Sequence, residues 1–469
     1  MSIGPNTWLA IAGYASLPVA WWLHRRGQAR WAVLVLALCA GLLRLSASLD
    51  PCLHEWDERY HALVAKHLVE HPLKPTLYED AALPYNEGSW AHGHVWLNKP
   101  PLSLWAIAGS LRLFGTEPLA VRVPSILLSM IATVLLFALA RERFQRNVAF
   151  IAALLFAING HLIELASGRT SNDHPDTFLV VFVLASLFAA SRMALRNSMR
   201  WSVVAGLLAG CAFLCKSWPV LIVLPVAAGF LWSNTELGWR RRAELLGALV
   251  LCAVLTALPW ALYVQHEFPA VQAAAADSHW RHFSEGLEDH ARPWYYFLAQ
   301  LPMIHGELAP IALLWFLLFA LKRSRRKYLP LAIWVSLPFV VFSFAITKMP
   351  GYTAIAAPAI FIIVALALEA WWGAAVESPW RRLGLRIIAL CLLVLPLRFS
   401  FDRVQPLTRT EPAYRVETWT DQGKGTVVMR CSHPIERMFH TDVSAAYEDM
   451  LSDTTITRLR ASGYRVITE

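Results

Sequence analysis

The stretch AVLVLALCAGLLRLSASLDPCLHEWDERYH, residues 32–61, decides the fold class. It is apolar over about the length that crosses a bilayer, then passes within a few residues into the acidic pair Asp57-Glu58. A run of that length with almost no charge reads as a membrane helix, and the polar stretch behind it as a loop at the membrane surface. The pattern recurs along the chain. The 469 residues are 57% hydrophobic and 16% charged, against about 25% charged in soluble domains, and the mean hydropathy is +0.44. That composition excludes a disordered chain, a secreted disulfide scaffold and a nucleic-acid-binding module. It predicts an all-α polytopic membrane protein.

Twelve spans are expected, at about 7–23, 31–49, 121–140, 147–166, 174–192, 201–216, 218–233, 243–263, 296–320, 329–346, 352–372 and 383–399. Basic clusters (Arg25-Arg26, Arg141/Arg143/Arg146, Arg192/Arg196/Arg200, 240–242, 322–327 and Arg381-Arg382) fall on one side if the N-terminus starts outside. That side is then the cytoplasm, and the net charge of +9 reports topology rather than affinity for polyanions. The apolar piece 101–115 carries Arg112 and is short, so it reads as a juxtamembrane or re-entrant helix at the outer interface. The N-terminus does not read as a cleavable signal. The spans look nearly free of interior charge, with Glu164 the most inward candidate.

Three segments remain outside: 50–120, 265–292 and a tail, 400–469, that alternates strand-like and helical pieces and reads as a small α/β domain. Residues 1–399 form the membrane module. Cys52 and Cys431 both fall outside, so a disulfide between them fits this topology; no cysteine pair has zinc-site spacing.

The ionisable residues at outer helix ends carry the chemistry. Asp57-Glu58-Arg59 follows the second span; Lys99 stands in 96–101, WLNKPP; Arg169, Asp173 and Asp176 lie in 168–176. Lys216 sits between two spans, and Lys348 and Tyr352 lie in 347–352, TKMPGY. Each alone reads more simply as an interfacial anchor. Together, acids and lysines from five loops converge on one membrane face. Cations at headgroup depth suit a lipid-linked phosphate, and a carboxylate suits activation of an acceptor. His92-Gly93-His94 is a weak metal pattern, better read as ordinary loop histidines.

These motifs resemble the polyprenyl-phosphate-sugar-dependent glycosyltransferases of the GT-C fold, in particular the group of the lipid A aminoarabinose transferase and the protein O-mannosyltransferases. The resemblance runs from about Trp56 to about Ala367 through Asp57-Glu58, Lys99-Pro100-Pro101, Arg122-Val-Pro-Ser125, Arg169 with Asp173, Lys216, Leu258-Pro259-Trp260, 290–296 (HARPWYY) and Lys348-Met-Pro-Gly-Tyr352. It implies a GT-C fold with juxtamembrane helices in the first periplasmic loop, in the bacterial inner membrane. It implies an undecaprenyl-phosphate sugar as donor and a lipid (such as lipid A), glycan or protein as acceptor.

On that reading Asp57 is the general base, with Glu58 and Asp173 as further catalytic acids. Arg59, Lys99, Arg122, Arg169, Lys216, His290, Lys348 and Tyr352 bind donor phosphate or substrate. Asp173 is preferred to Asp176 as the second family carboxylate, because Asp-His-Pro mimics the common Asp-x-Pro. Asn98 stands where relatives often place a Glu, which in some of them holds a metal, so metal binding is left undecided and no other cofactor is expected. A transporter or flippase of a lipid-linked sugar is the alternative from another class, and a non-catalytic membrane scaffold a third.

Overall fold

The computed structural model describes residues 5–80, 83–86, 89–170, 173–373, 378–405, 416, 419–447 and 452–468. The parts of the expected loop at 171–172 and of the expected tail domain at 406–415 lie outside the described residues. The order of elements begins α1 (Pro5–Arg25), α2 (Ala29–Ala47), α3 (Asp57–Glu70), α4 (Pro101–Phe114), α5 (Pro118–Arg143), α6 (Arg146–Ile158), α7 (Gly160–Ala166) and α8 (His174–Arg196). It continues with α9 (Met199–Lys216), α10 (Val223–Ser233), α11 (Trp239–Glu267) and α12 (Pro269–Ser284). Five further apolar helical stretches follow, Tyr296–His305, Ala309–Arg323, Arg325–Phe344, Pro350–Trp372 and Pro379–Val404.

Among the described residues, eight helices are long and apolar enough to cross a membrane, or ten if each of two bent pairs counts as one span. The chain is therefore a multi-pass membrane protein, but the expected twelve spans are not reached. The run at 7–23 is helical yet falls outside that set, and 218–233 is a short apolar helix that opens with a 3₁₀ turn. Residues 101–114 form the short helix α4, 14 residues long.

Close approach organises the bundle. A Cβ on Gly206 would meet Leu249 O at 2.3 Å and one on Gly210 would meet Thr256 Cβ at 2.4 Å, so two glycines one turn apart let α9 lie against α11. One bent pair, α6 and α7, turns by 54° at Asn159. Asn159 caps α7 by accepting from Leu162 N (2.9 Å) and donates to Ile304 O (2.8 Å). The carbonyls left open at the end of α6 are met by Arg44, which donates to Ala157 O (2.9 Å) and Phe156 O (3.3 Å). Arg44, in the last turn of α2, is fully buried: a backbone break inside the bundle needs donors, and a guanidinium supplies them.

Outside the bundle, α3, α4 and the chain between them share one hydrophobic core with the C-terminal residues, through Leu53, Tyr60, Leu63, Trp96, Ile107, Val427, Ile435 and Phe439. The C-terminal residues form a parallel sheet in the order β2-β1-β3, from β1 (Thr426–Met429), β2 (Ser444–Ala445) and β3 (Arg465–Thr468). The helix Pro434–His440 connects β1 to β2 and packs on α3. Cys52 and Cys431 do not form the disulfide that their placement allowed.

Candidate functional site

A cavity of about 220 Å³ lies where α3, α8, α9 and α12 meet the chain around Asn98 and Tyr352. Its polar lining is Asp57, Asn98, Lys99, Asp176, Lys216, His279, His282 and Glu288, and its walls include Trp56, Trp90, Trp96, Trp218, Phe342 and Tyr352. Asp57 opens α3 and faces Lys99 at 3.2 Å, both about one-fifth exposed. Burial alone would lower the Lys99 ammonium, but Asp57 and Asp176 outweigh it and push it above the ordinary lysine range. It is thus a permanent cation. Lys216, the last residue of α9, donates to both carboxylate oxygens of Asp176 (2.7 and 2.8 Å) and lies 5.2 Å over the Tyr352 ring. Two acid–lysine pairs therefore stand in one aromatic-walled cavity.

The second half of the acidic pair has a different place. Glu58 is fully buried, held by Arg122 Nε at 2.7 Å and Nη2 at 2.9 Å, by the His54 backbone N–H at 2.7 Å and by the His174 ring at 3.3 Å. Burial would raise its carboxyl, but Arg122 and His54 hold it well below the usual carboxylate range. Arg122 spends its remaining donors on the carbonyls of Ser48 (2.9 Å), Asp50 (2.6 Å) and Cys52 (2.7 Å). A guanidinium with five fixed N–H groups can satisfy three carbonyls and a carboxylate at once. The pair fastens the first loop to α5; neither residue lines the cavity.

Gly168 belongs to this lock. It has φ +75°, and a Cβ there would meet Glu58 Oε1 at 2.2 Å. Because Glu58 cannot yield, Gly168→Ala is expected to cost about 1–3 kcal/mol through overpacking alone, read as a lowered thermal midpoint of the detergent-solubilised protein.

Other expected ligands are also placed elsewhere. Arg59 pairs with the buried Glu436 of the C-terminal unit at 3.2 Å. Arg169 binds Asp50 (2.8 Å) and donates to the carbonyls of Arg403 and Gln405. Lys348 is buried and donates to Arg292 O (2.9 Å) and Ala345 O, fastening the loop after α12 to the 345–348 segment. His290 accepts at its carbonyl from Lys348 N and lies beside Trp56. Asp173 is fully buried against His61 at 2.9 Å, so Asp176 rather than Asp173 supplies the second cavity carboxylate. For Arg59, Arg169, Asp173 and Lys348, the charge is consumed by neutralising a buried partner or by closing backbone that would otherwise lack donors.

Sequence reasoning missed His279, His282 and Glu288. The signal was the helical spacing of Ser278, His279, His282 and Phe283, one stripe of α12 facing the cavity. His279 Nε2 meets Asn98 O at 3.0 Å. His94 Nδ1 meets Tyr78 O. Among the described residues, the group spaced to hold a cation is the exposed Glu70, His71 and Glu79, away from the cavity.

Comparison with known proteins follows the same lines. A family profile described as dolichyl-phosphate-mannose-protein mannosyltransferase matches residues 98–261. The chain is 31% identical over 353 residues to an undecaprenyl phosphate-alpha-4-amino-4-deoxy-L-arabinose arabinosyl transferase of Pseudomonas aeruginosa, covering 69% of this chain and 60% of that one. It is 29% identical over 343 residues to a similarly named protein of Pseudomonas fluorescens, covering 69% and 57%. The chain thus spans less than two thirds of the length of the curated relatives it matches.

Among solved structures, ArnT from Cupriavidus metallidurans bound to undecaprenyl phosphate superposes with a TM-score of 0.61 at 18% identity, covering 92% of this chain and 89% of that one. The oligosaccharyltransferase AglB from Archaeoglobus fulgidus gives 0.55 at 13%, covering 94% and 69%. The chain is thus similar in sequence to these arabinosyl transferases and in fold to ArnT and AglB.

Proposed function

We propose that the protein is a glycosyltransferase of the inner membrane that moves one sugar from a polyprenyl phosphate to an acceptor, with the cavity facing the periplasm. The observation that carries this reading is the juxtaposition of Asp57–Lys99 and Asp176–Lys216 in one aromatic-walled cavity at the ends of apolar helices. The names of its relatives, undecaprenyl-phosphate arabinosyl transferases, agree with it.

In the proposed reaction Asp57 takes the proton of an acceptor hydroxyl as the acceptor oxygen bonds the anomeric carbon. The bond from that carbon to the phosphate oxygen breaks, and the polyprenyl phosphate leaves with an added negative charge. Lys99 and Lys216 stabilise that charge, and Tyr352 and Asn98 supply polar contacts beside it. An acceptor that is already an ionised phosphate needs no base, so the Asp57 dependence of transfer reports the acceptor class. Lipid A, another lipid, a glycan and a protein all remain within the proposed acceptor range.

Lys216 and Lys348 separate the placement from the motif. Lys216→Ala is expected to raise the donor KM at least tenfold, whereas Lys348→Ala lowers thermal stability and leaves donor KM within about twofold, since buried charge–carbonyl bonds are worth about 1.5–3 kcal/mol each. Steady-state kinetics with a purified polyprenyl-phosphate sugar reads both.

A flippase of the same lipid-linked sugar is the second reading, favoured by the two bent spans, because transporters use broken helices at their sites. Mass spectrometry of envelope lipids and glycans tests the two. Intact, gene-deleted and Asp57→Asn-complemented strains are compared. A species short of one sugar mass in the deletion, and not restored by Asp57→Asn, supports transfer. Full restoration by Asp57→Asn removes Asp57 as base; if the purified protein then also transfers no sugar to a phosphate-bearing acceptor, the transfer reading is overturned in favour of the flippase.

A further inference from the structure

We infer that the buried His61–Asp173 pair is a positioning element that fixes the spacing between Asp57 and Asp176, the two lysine-paired carboxylates of the cavity. His61 Nδ1 and Asp173 Oδ1 are 2.9 Å apart, an ion-pair contact without hydrogen-bond geometry, and both side chains are fully buried. His61 lies four residues after Asp57 on α3, and residues so spaced share one helix face. Asp173 lies three residues before Asp176, and its carbonyl accepts from the N–H groups of Asp176 (3.0 Å) and Thr177 (3.2 Å) as α8 begins. Each member of the pair is therefore one turn from a cavity carboxylate.

The two helices are also tied indirectly: α4 packs on α3 and touches α8, and Glu58 of α3 pairs with Arg122 of α5, on which α8 packs. α3 packs on α4 and on the helix Pro434–His440, whereas α8 packs on α5, α9 and α10. The other direct polar link from α3 to α8 is the longer contact of His174 with Glu58, at 3.3 Å. His61 also sets its edge against Trp96, 5.6 Å away between ring centres, and Trp96 is a wall of the cavity.

Since Asp57 carries Lys99 and Asp176 carries Lys216, the gap between α3 and α8 decides how far apart the two ammonium groups stand. It decides, too, where an acceptor sits relative to a departing phosphate. A misplacement of about 1 Å costs up to about 10²-fold in rate. Asp173 then acts through α8 rather than on substrate.

The kinetic arm of the test rests on the transferase reading; the structural arm does not. Asp173→Asn, Asp173→Glu, His61→Gln and the His61→Gln/Asp173→Asn double variant are purified into lipid nanodiscs. Each single variant is expected to lower kcat about 10- to 100-fold with donor KM within about twofold. The double variant should be no slower than the worse single one, because the two residues act as one unit. Asp173→Glu keeps the charge and the burial but lengthens the link, so it serves if Asp173→Asn does not fold.

The structure of the folded Asp173 variant is then determined by cryo-EM. The expected result is a changed α3–α8 separation, with Lys99–Asp57 and Lys216–Asp176 no longer both closed. Unchanged kcat per folded molecule, additive losses, a raised donor KM with kcat preserved, or an unchanged α3–α8 separation each overturn the inference. If the separation changes but the unmodified protein transfers no sugar, the transferase reading fails and the positioning role stands.

Discussion

Asp57→Asn is expected to lower sugar transfer by about 10²–10⁴-fold, the usual contribution of a general base, while the protein still folds. The side chain is about one-fifth exposed and faces Lys99, which Asp176 also attracts, so an isosteric amide leaves no buried charge unpaired. The amide cannot accept the acceptor's proton. It also removes the charge that faces Lys99, so the lysine turns more freely toward the donor phosphate. Donor affinity is therefore expected to hold or rise while kcat falls. Single-turnover transfer from a radiolabelled polyprenyl-phosphate sugar separates the two effects. A loss below about tenfold with a phosphate-bearing acceptor would remove Asp57 from the role of base and leave the transferase reading intact.

Arg122→Ala has the largest expected effect on stability. It strands the Glu58 carboxylate and three loop carbonyls in a fully buried site. Removing one partner of a buried ion pair costs about 3–5 kcal/mol, a large part of the roughly 5–15 kcal/mol that holds an ordinary domain together. Arg122→Lys should rescue little of this, because one ammonium cannot replace five donors in a fixed fork.

The same lock makes a pH prediction. Glu58 is depressed in the folded state, so its stabilisation is complete above its unfolded value of about 4.3 and is lost as pH falls through the lower folded value. The first loop should become protease-sensitive on acidification below about pH 4 in the native protein. In Glu58→Gln, loosened already at neutral pH, that acid step should be absent. Limited proteolysis with detection of cleavage between residues 50 and 120 measures both.

The contrast between Asp57 and Glu58 shows how far a sequence can be read. The two acids are adjacent and identical in chemistry, and both follow an apolar run, so no local property separates them. On a helix they point about 100° apart, and that rotation alone turns one into the cavity and the other onto Arg122. Asp173 and Asp176 repeat the lesson: one turn of α8 divides a buried partner of His61 from a cavity carboxylate. Lys348 sits in a motif shared with Tyr352, yet only Tyr352 lines the cavity, because the lysine is long enough to fold back onto Arg292 O. His279 and His282 went unremarked because α12 is polar and exposed, and nothing along the chain shows which loop lies over the cavity.

What the sequence determined by itself is what depends on composition and on nearest neighbours. Long apolar runs made the chain a multi-pass helical membrane protein, because a backbone in lipid must satisfy its own hydrogen bonds. The placing of acids and lysines at helix ends was equally legible, since charge is expelled from the hydrocarbon core. The tertiary structure alone decided which of those charges remain available. A buried ion must be paired, and the partners of Glu58, Arg59, Asp173 and Lys348 come from segments between 3 and about 380 residues away. Only packing brings such partners within 3 Å, and it leaves Asp57, Lys99, Asp176, Lys216 and Tyr352 lining the one cavity they share.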